Sequence, residues 1–121
     1  MLLLSLAHAS TYTLSFPERN AQRLQVEAEI EATGQSTGLF MATWTPGSYL
    51  LREYAQHVER LTATADGRVL PIRKTAKNRW EVDTDGVKRF TLSYSVYSAG
   101  LSVRGNFVDH DVAVLNGAPT F

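Results

Sequence analysis

From Leu24 to Glu31 the chain alternates without a break: Leu24, Val26, Ala28 and Ile30 are apolar, while Gln25, Glu27, Glu29 and Glu31 are polar or acidic. Successive side chains on a β-strand point to opposite faces, so a period of two sets one face against a core and the other in water. This is the pattern of an antiparallel strand flanked by solvent. The alternation returns at Phe90, Leu92, Tyr94 and Val96 against Thr91, Ser93 and Ser95, and again at Tyr12, Leu14 and Phe16 against Thr11, Thr13 and Ser15.

Between these runs, Val58 to Ala65 reads as a strand, Asp66-Gly67 as a hairpin turn and Arg68 to Ile72 as the return strand. Asn78 to Val82 and the Asp85-Gly86 turn then lead into the Phe90 strand. Further short strands are expected at Leu39 to Trp44, Leu101 to Val108 and Val112 to Leu115, and only Tyr49 to Val58 has residue types suited to a short helix. Short strands with turn signals every 8 to 12 residues or so define an all-β fold, either an antiparallel β-sandwich or a strongly curved sheet, with at most one short helix. No linker, repeat or low-complexity tract divides the chain.

A chain of 121 residues is one domain's worth and can withdraw roughly two-thirds of its unfolded surface from water around a single core. Its 12 basic and 12 acidic side chains leave no net field to draw in a polyanion, so neither nucleic acid nor an acidic membrane is an expected partner. The absence of cysteine excludes a disulfide framework, a thiolate zinc site and a cysteine nucleophile. Met1 to Leu6 is almost wholly apolar, and Ala7-His8-Ala9 has the small-x-small form of a signal-peptidase site. Residues 1–9 are therefore read as the remnant of an export signal, which implies a periplasmic or secreted protein; a first strand and a cytoplasmic protein are the other reading. No stretch approaches the ~18 apolar residues of a membrane span. The chain ends on Phe121 without a polar tail, which reads as a cut inside a longer protein.

Few constellations could carry catalysis. His8 lies in the apolar leader, His57 follows the Tyr49 segment, and His110 sits within Asp109-His110-Asp111. Adjacent strand positions face opposite ways, so that triplet converges on a metal only through a turn, and a plain polar turn is the simpler expectation. Ser48 follows Pro46-Gly47 but lacks the G-x-S-x-G elbow and its strand-turn-helix setting. Gly34 and Gly38 are followed by neither the lysine nor the helix of a phosphate loop. The basic stretch Arg73 to Arg79 is expected to be a solvated loop, and Trp80 a strand residue facing the core. Catalytic residues and metal ligands are accordingly expected to be absent.

The densest stretch is WTPGSYLLREY, residues 44–54. Proline presets φ at about −65° and glycine accepts the positive φ that follows, so Pro46-Gly47 fits a type II turn that would swing Trp44 and Tyr49 toward each other. Arg52 then needs a partner such as Glu53, a carbonyl or a bound ligand. The plainer possibility is a packed corner, with Trp44 and Tyr54 in the core and Arg52 in a local ion pair.

With its continuation Ala55-Gln56-His57-Val58, this stretch resembles the signature segment of the N-terminal domain of the glycyl aminopeptidases, metallopeptidase family 61. The likeness extends from Tyr12-Thr13-Leu14-Ser15-Phe16-Pro17 through Lys77-Asn78-Arg79-Trp80 and Leu92-Ser93-Tyr94-Ser95-Val96-Tyr97 to Asn106-Phe107-Val108-Asp109 and Leu115-Asn116-Gly117, in the expected order. It covers roughly residues 10–121. It implies a non-catalytic β-domain placed before a thermolysin-like domain with H-E-x-x-H zinc ligands, so that zinc belongs to the full-length parent and no cofactor to this chain. It further implies that the catalytic domain of the same polypeptide is the partner and a peptide substrate an indirect one. By analogy with alanyl aminopeptidases, Trp44, Tyr49 and Arg52 are candidates to border the substrate cleft. Where many relatives carry a histidine just before the Leu24 strand, this chain has Gln22-Arg23, which leaves its substrate preference open. A stand-alone β-sandwich binding peptides or carbohydrates is the alternative.

Overall fold

The computed structural model describes residues 10–102 and 104–121, and the reading of residues 1–9, His8 included, lies outside the described residues. The strands are β1 (Thr11–Ser15), β2 (Arg23–Glu31), β3 (Ser36–Phe40), β4 (Val58–Ala65), β5 (Arg68–Leu70), β6 (Ile72–Ala76), β7 (Arg79–Asp83), β8 (Arg89–Tyr97), β9 (Phe107–Val108) and β10 (Ala113–Val114). Helical structure among the described residues is confined to 3₁₀ turns at Arg19–Ala21 and Tyr54–His57. All strand pairings are antiparallel.

The alternating segments build a five-stranded sheet in the order β1-β2-β8-β4-β5. At its centre β2 and β8 pair from Arg23 opposite Tyr97 to Glu31 opposite Arg89, which sets Leu24 against Val96, Val26 against Tyr94 and Ala28 against Leu92. These six residues are buried in one core with Phe90. Each large apolar side chain so buried contributes about 1.5–3 kcal/mol, whereas a one-residue slip would turn Gln25, Glu27 and Ser93 inward. On the outer face Gln25 and Ser93 bond across the strands instead. Gln25 Nε2 donates to Ser93 Oγ at 2.8 Å, and Ser95 Oγ donates to Gln25 Oε1 at 3.0 Å.

A second sheet, ordered β3-β7-β6, supplies Val82, Leu39 and Ile72 to the same core. The fold is thus a sandwich of two antiparallel sheets. The expected single return strand over Arg68–Ile72 breaks at Pro71, because proline has no N–H for a ladder bond. Its carbonyl accepts the Asp83 N–H at 2.9 Å, and the chain passes from β5 of the first sheet to β6 of the second. The basic stretch begun by Arg73 is correspondingly not a loop: residues up to Ala76 form β6, an edge strand whose charges leave it wet. The strand anticipated at Leu39 to Trp44 is displaced, since β3 begins at Ser36 and ends at Phe40, while those anticipated at Leu101 to Val108 and Val112 to Leu115 shrink to β9 and β10. Trp80 faces the core as expected, part-buried against the Met41, Tyr54 and Ala55 cluster.

Behind the β8 end, the C-terminal segment is tied down by buried polar bonds. Asn106 Nδ2 donates to Thr120 Oγ1 at 2.8 Å, and its Oδ1 accepts the Asn116 N–H at 2.8 Å. Tyr94 OH donates to the Thr120 carbonyl at 2.6 Å, and burial raises the Tyr94 phenol far above its usual range.

Candidate functional site

The segment after β3 is a braced loop. Pro46-Gly47 forms the expected turn: the Ser48 N–H donates to the Thr45 carbonyl at 3.1 Å, and Gly47 has φ +84°, a conformation that would strain a residue bearing a Cβ. Trp44 Nε1 donates to the Ser48 carbonyl at 2.5 Å, and the Arg52 N–H reaches back to the Thr43 carbonyl at 2.6 Å, closing the base. Ser48 is buried, with its hydroxyl 3.3 Å from the Leu50 carbonyl, so it braces the loop.

The loop's apolar residues point outward. Trp44 is 49% exposed, Leu51 80%, and Tyr49 fully exposed. Two expectations are thereby corrected: Trp44 is not a core residue, and Trp44 and Tyr49 do not pack together, because the bonds from Trp44 to Ser48 and from Ser48 to Leu50 hold the turn without their rings meeting. Tyr54 does enter the core, beside Met41 and Ala55.

Arg52 does not pair with Glu53. Glu53 instead receives Lys77 Nζ at 2.9 Å. Arg52 Nε and Tyr54 OH are buried and have no hydrogen-bond partner. An unsatisfied buried group of this kind costs about 1–3 kcal/mol. Both residues line an open pocket of about 590 Å³, formed by the Tyr54–His57 turn, the end of β8 and the loop before β9, with His57, Arg104 and Asn106 also on its wall.

Of the three sequence candidates, then, Arg52 lies on the pocket, whereas Trp44 and Tyr49 occupy the loop's exposed side. The contributions of Tyr54, His57 and Arg104 were not foreseen. Tyr54 and His57 stand three residues apart in a 3₁₀ turn, a spacing that faces them the same way, but nothing local in the sequence links them to Arg104. A second concavity, an apolar groove of about 80 Å³, runs between the sheets and is lined by Tyr12, Leu39, Phe40, Trp80, Tyr94 and Phe121.

Among the described residues no group of three His, Asp or Glu side chains is placed to hold a metal ion. Asp109-His110-Asp111 is a polar turn: Asp109 Oδ1 accepts the Val112 N–H at 2.8 Å and the Asp111 N–H at 2.9 Å. Those two bonds, the Val112 one foremost, hold the Asp109 carboxyl below its usual range. The described residues do not fit a zinc centre. No described helix is long and apolar enough to cross a membrane.

Sandwich, braced loop and pocket define an all-β domain that offers surfaces for contact. The family described as the Peptidase M61 N-terminal domain matches residues 11–121, and the chain belongs to that family. The chain is also similar to the crystal structure of an aminopeptidase N family protein from Idiomarina loihiensis, with a TM-score of 0.78 and 30% sequence identity over 84% of this chain and 17% of that one. It therefore spans under a fifth of that protein's length. No curated protein matches the chain.

Proposed function

We propose that the chain is the non-catalytic N-terminal β-domain of a zinc-dependent, glycyl-type aminopeptidase, packing on the catalytic domain of the same polypeptide and bordering its substrate cleft. The observation that carries this reading, beside family membership, is the hydrogen-bonded loop that holds Trp44, Tyr49, Leu50 and Leu51 out in water. Contiguous exposed apolar surface of this kind marks a contact face. In this reading zinc resides in the catalytic domain, where it would activate water for attack on the scissile carbonyl, and this chain's residues shape the approach to it. A signal remnant at residues 1–9 would make the setting periplasmic or secreted; without one it would be cytoplasmic.

Purified chain given zinc and a glycine anilide is expected to show no turnover above buffer, and zinc-dependent turnover would overturn the assignment. The apolar groove supports the second reading, a stand-alone module binding peptide or carbohydrate. That reading requires a ligand that quenches Trp80 fluorescence, whereas a contact face stripped of its partner binds hydrophobic dyes.

A further inference from the structure

Arg52 Nε carries a hydrogen that can only donate, and the Tyr54 hydroxyl can donate as well. Both atoms are buried without a partner, and the residues that carry them line the same pocket, Tyr54 being only 6% exposed. A group that accepts from both would satisfy them together. The charge around them specifies its sign: Arg52 and Arg104 share the wall with Glu53, whose carboxylate is already engaged by Lys77. A guanidinium edge presents two parallel N–H donors at the spacing of two carboxylate oxygens, so a planar carboxylate fits where a lone halide would satisfy only one. A volume of about 590 Å³ admits the residues on either side of such a group.

We propose that the Arg52–Tyr54 pocket is a carboxylate-binding site for a peptide, its acceptor being a C-terminal carboxylate or an Asp or Glu side chain. Arg52 forms the ion pair, Tyr54 donates the additional hydrogen bond, and Arg104 contributes attraction from the rim. The site stands independently of the aminopeptidase reading, since it requires only the residues of this chain.

The test uses the chain labelled with nitrogen-15, following the Arg52 Nε–H resonance, which is assigned by its loss in Arg52→Lys. The probes are N-acetyl-triglycine with a free carboxylate, N-acetyl-Gly-Glu-Gly amide, and the neutral N-acetyl-Gly-Gln-Gly amide, each to about 20 mM, where a weak millimolar site is well populated. A saturable shift with at least one acidic probe and none with the neutral one is expected, and the probe that binds identifies the source of the carboxylate. Tyr54→Phe keeps the ring in the core and should weaken binding roughly threefold or more through loss of one hydrogen bond. An unmoved resonance with both acidic probes, an equal shift with the neutral amide, or much tighter binding of inorganic phosphate would overturn the proposal.

Discussion

Arg60 adopts φ +54° at the point where β4 slips register against β8, between Glu59 and Thr62. This is a bulge in which the left-handed conformation usually falls to glycine. Its guanidinium spans the outer face, donating to Ser95 Oγ at 2.9 Å and pairing with Glu18. Arg60→Ala loses those bonds and keeps the strained backbone, whereas Arg60→Gly loses the bonds and relieves it. Urea unfolding should therefore find the glycine variant the more stable of the two by about 1 kcal/mol. Asn106 makes a second prediction. With its amide bridging Thr120 and Asn116, Asn106→Ala removes a bond from each, leaves the part-buried Asn116 N–H without its acceptor, and should cost about 1–3 kcal/mol, read as a lower urea midpoint. Neither role was legible in the sequence, since a positive φ at arginine and a contact across fourteen positions both arise from tertiary packing.

At the scale of elements, the reading was strongest where periodicity was longest. Leu24 to Ile30 and Phe90 to Val96 proclaim their buried face because every second residue is apolar, and they form the central strand pair. The short strands are misplaced at Leu39 to Trp44 and overextended at Leu101 to Val108 because a few apolar residues are compatible with strand or loop alike. Leu24 and Leu50 make the distinction measurable. Leu24→Ala should destabilise the domain by about 2–5 kcal/mol, while Leu50→Ala, on an exposed loop, should stay within about 0.5 kcal/mol.

The outer face of β2 and β4 also sets a pH response. Arg23 Nε donates to Glu59 at 2.7 Å, and this bond holds the Glu59 carboxyl below its usual range. A carboxyl whose folded pKa is depressed adds stability above its unfolded pKa, about 4.3, and that contribution is lost as the pH falls through the folded value. Urea midpoints at neutral and strongly acidic pH should therefore differ less in Glu59→Gln than in the unaltered chain. An equal drop in both would mean that the Arg23 bond is not formed in solution.

For the molecule as a whole, the sandwich leaves a braced apolar loop uncovered beside a pocket that carries Arg52 and Arg104. The WTPGSYLLREY stretch announced a turn and an arginine in need of a partner, and both are present; it did not announce that Trp44 would face outward, because an aromatic at a loop position carries no periodic signal. Arg52 was legible as a candidate through its chemistry, whereas the pocket around it required the β8 end and the loop before β9 to converge. A contact face also makes a solution prediction: Leu50→Asp with Leu51→Asp should lower the binding of a hydrophobic dye without shifting the urea midpoint appreciably.

The central claim is that this domain serves a catalytic domain in the same polypeptide. Reading the coding sequence in frame beyond codon 121 tests it most directly. An H-E-x-x-H motif followed downstream by a further glutamate is the predicted result. A stop codon directly after Phe121, with no such motif beyond, would contradict the account and leave a binding module that works alone.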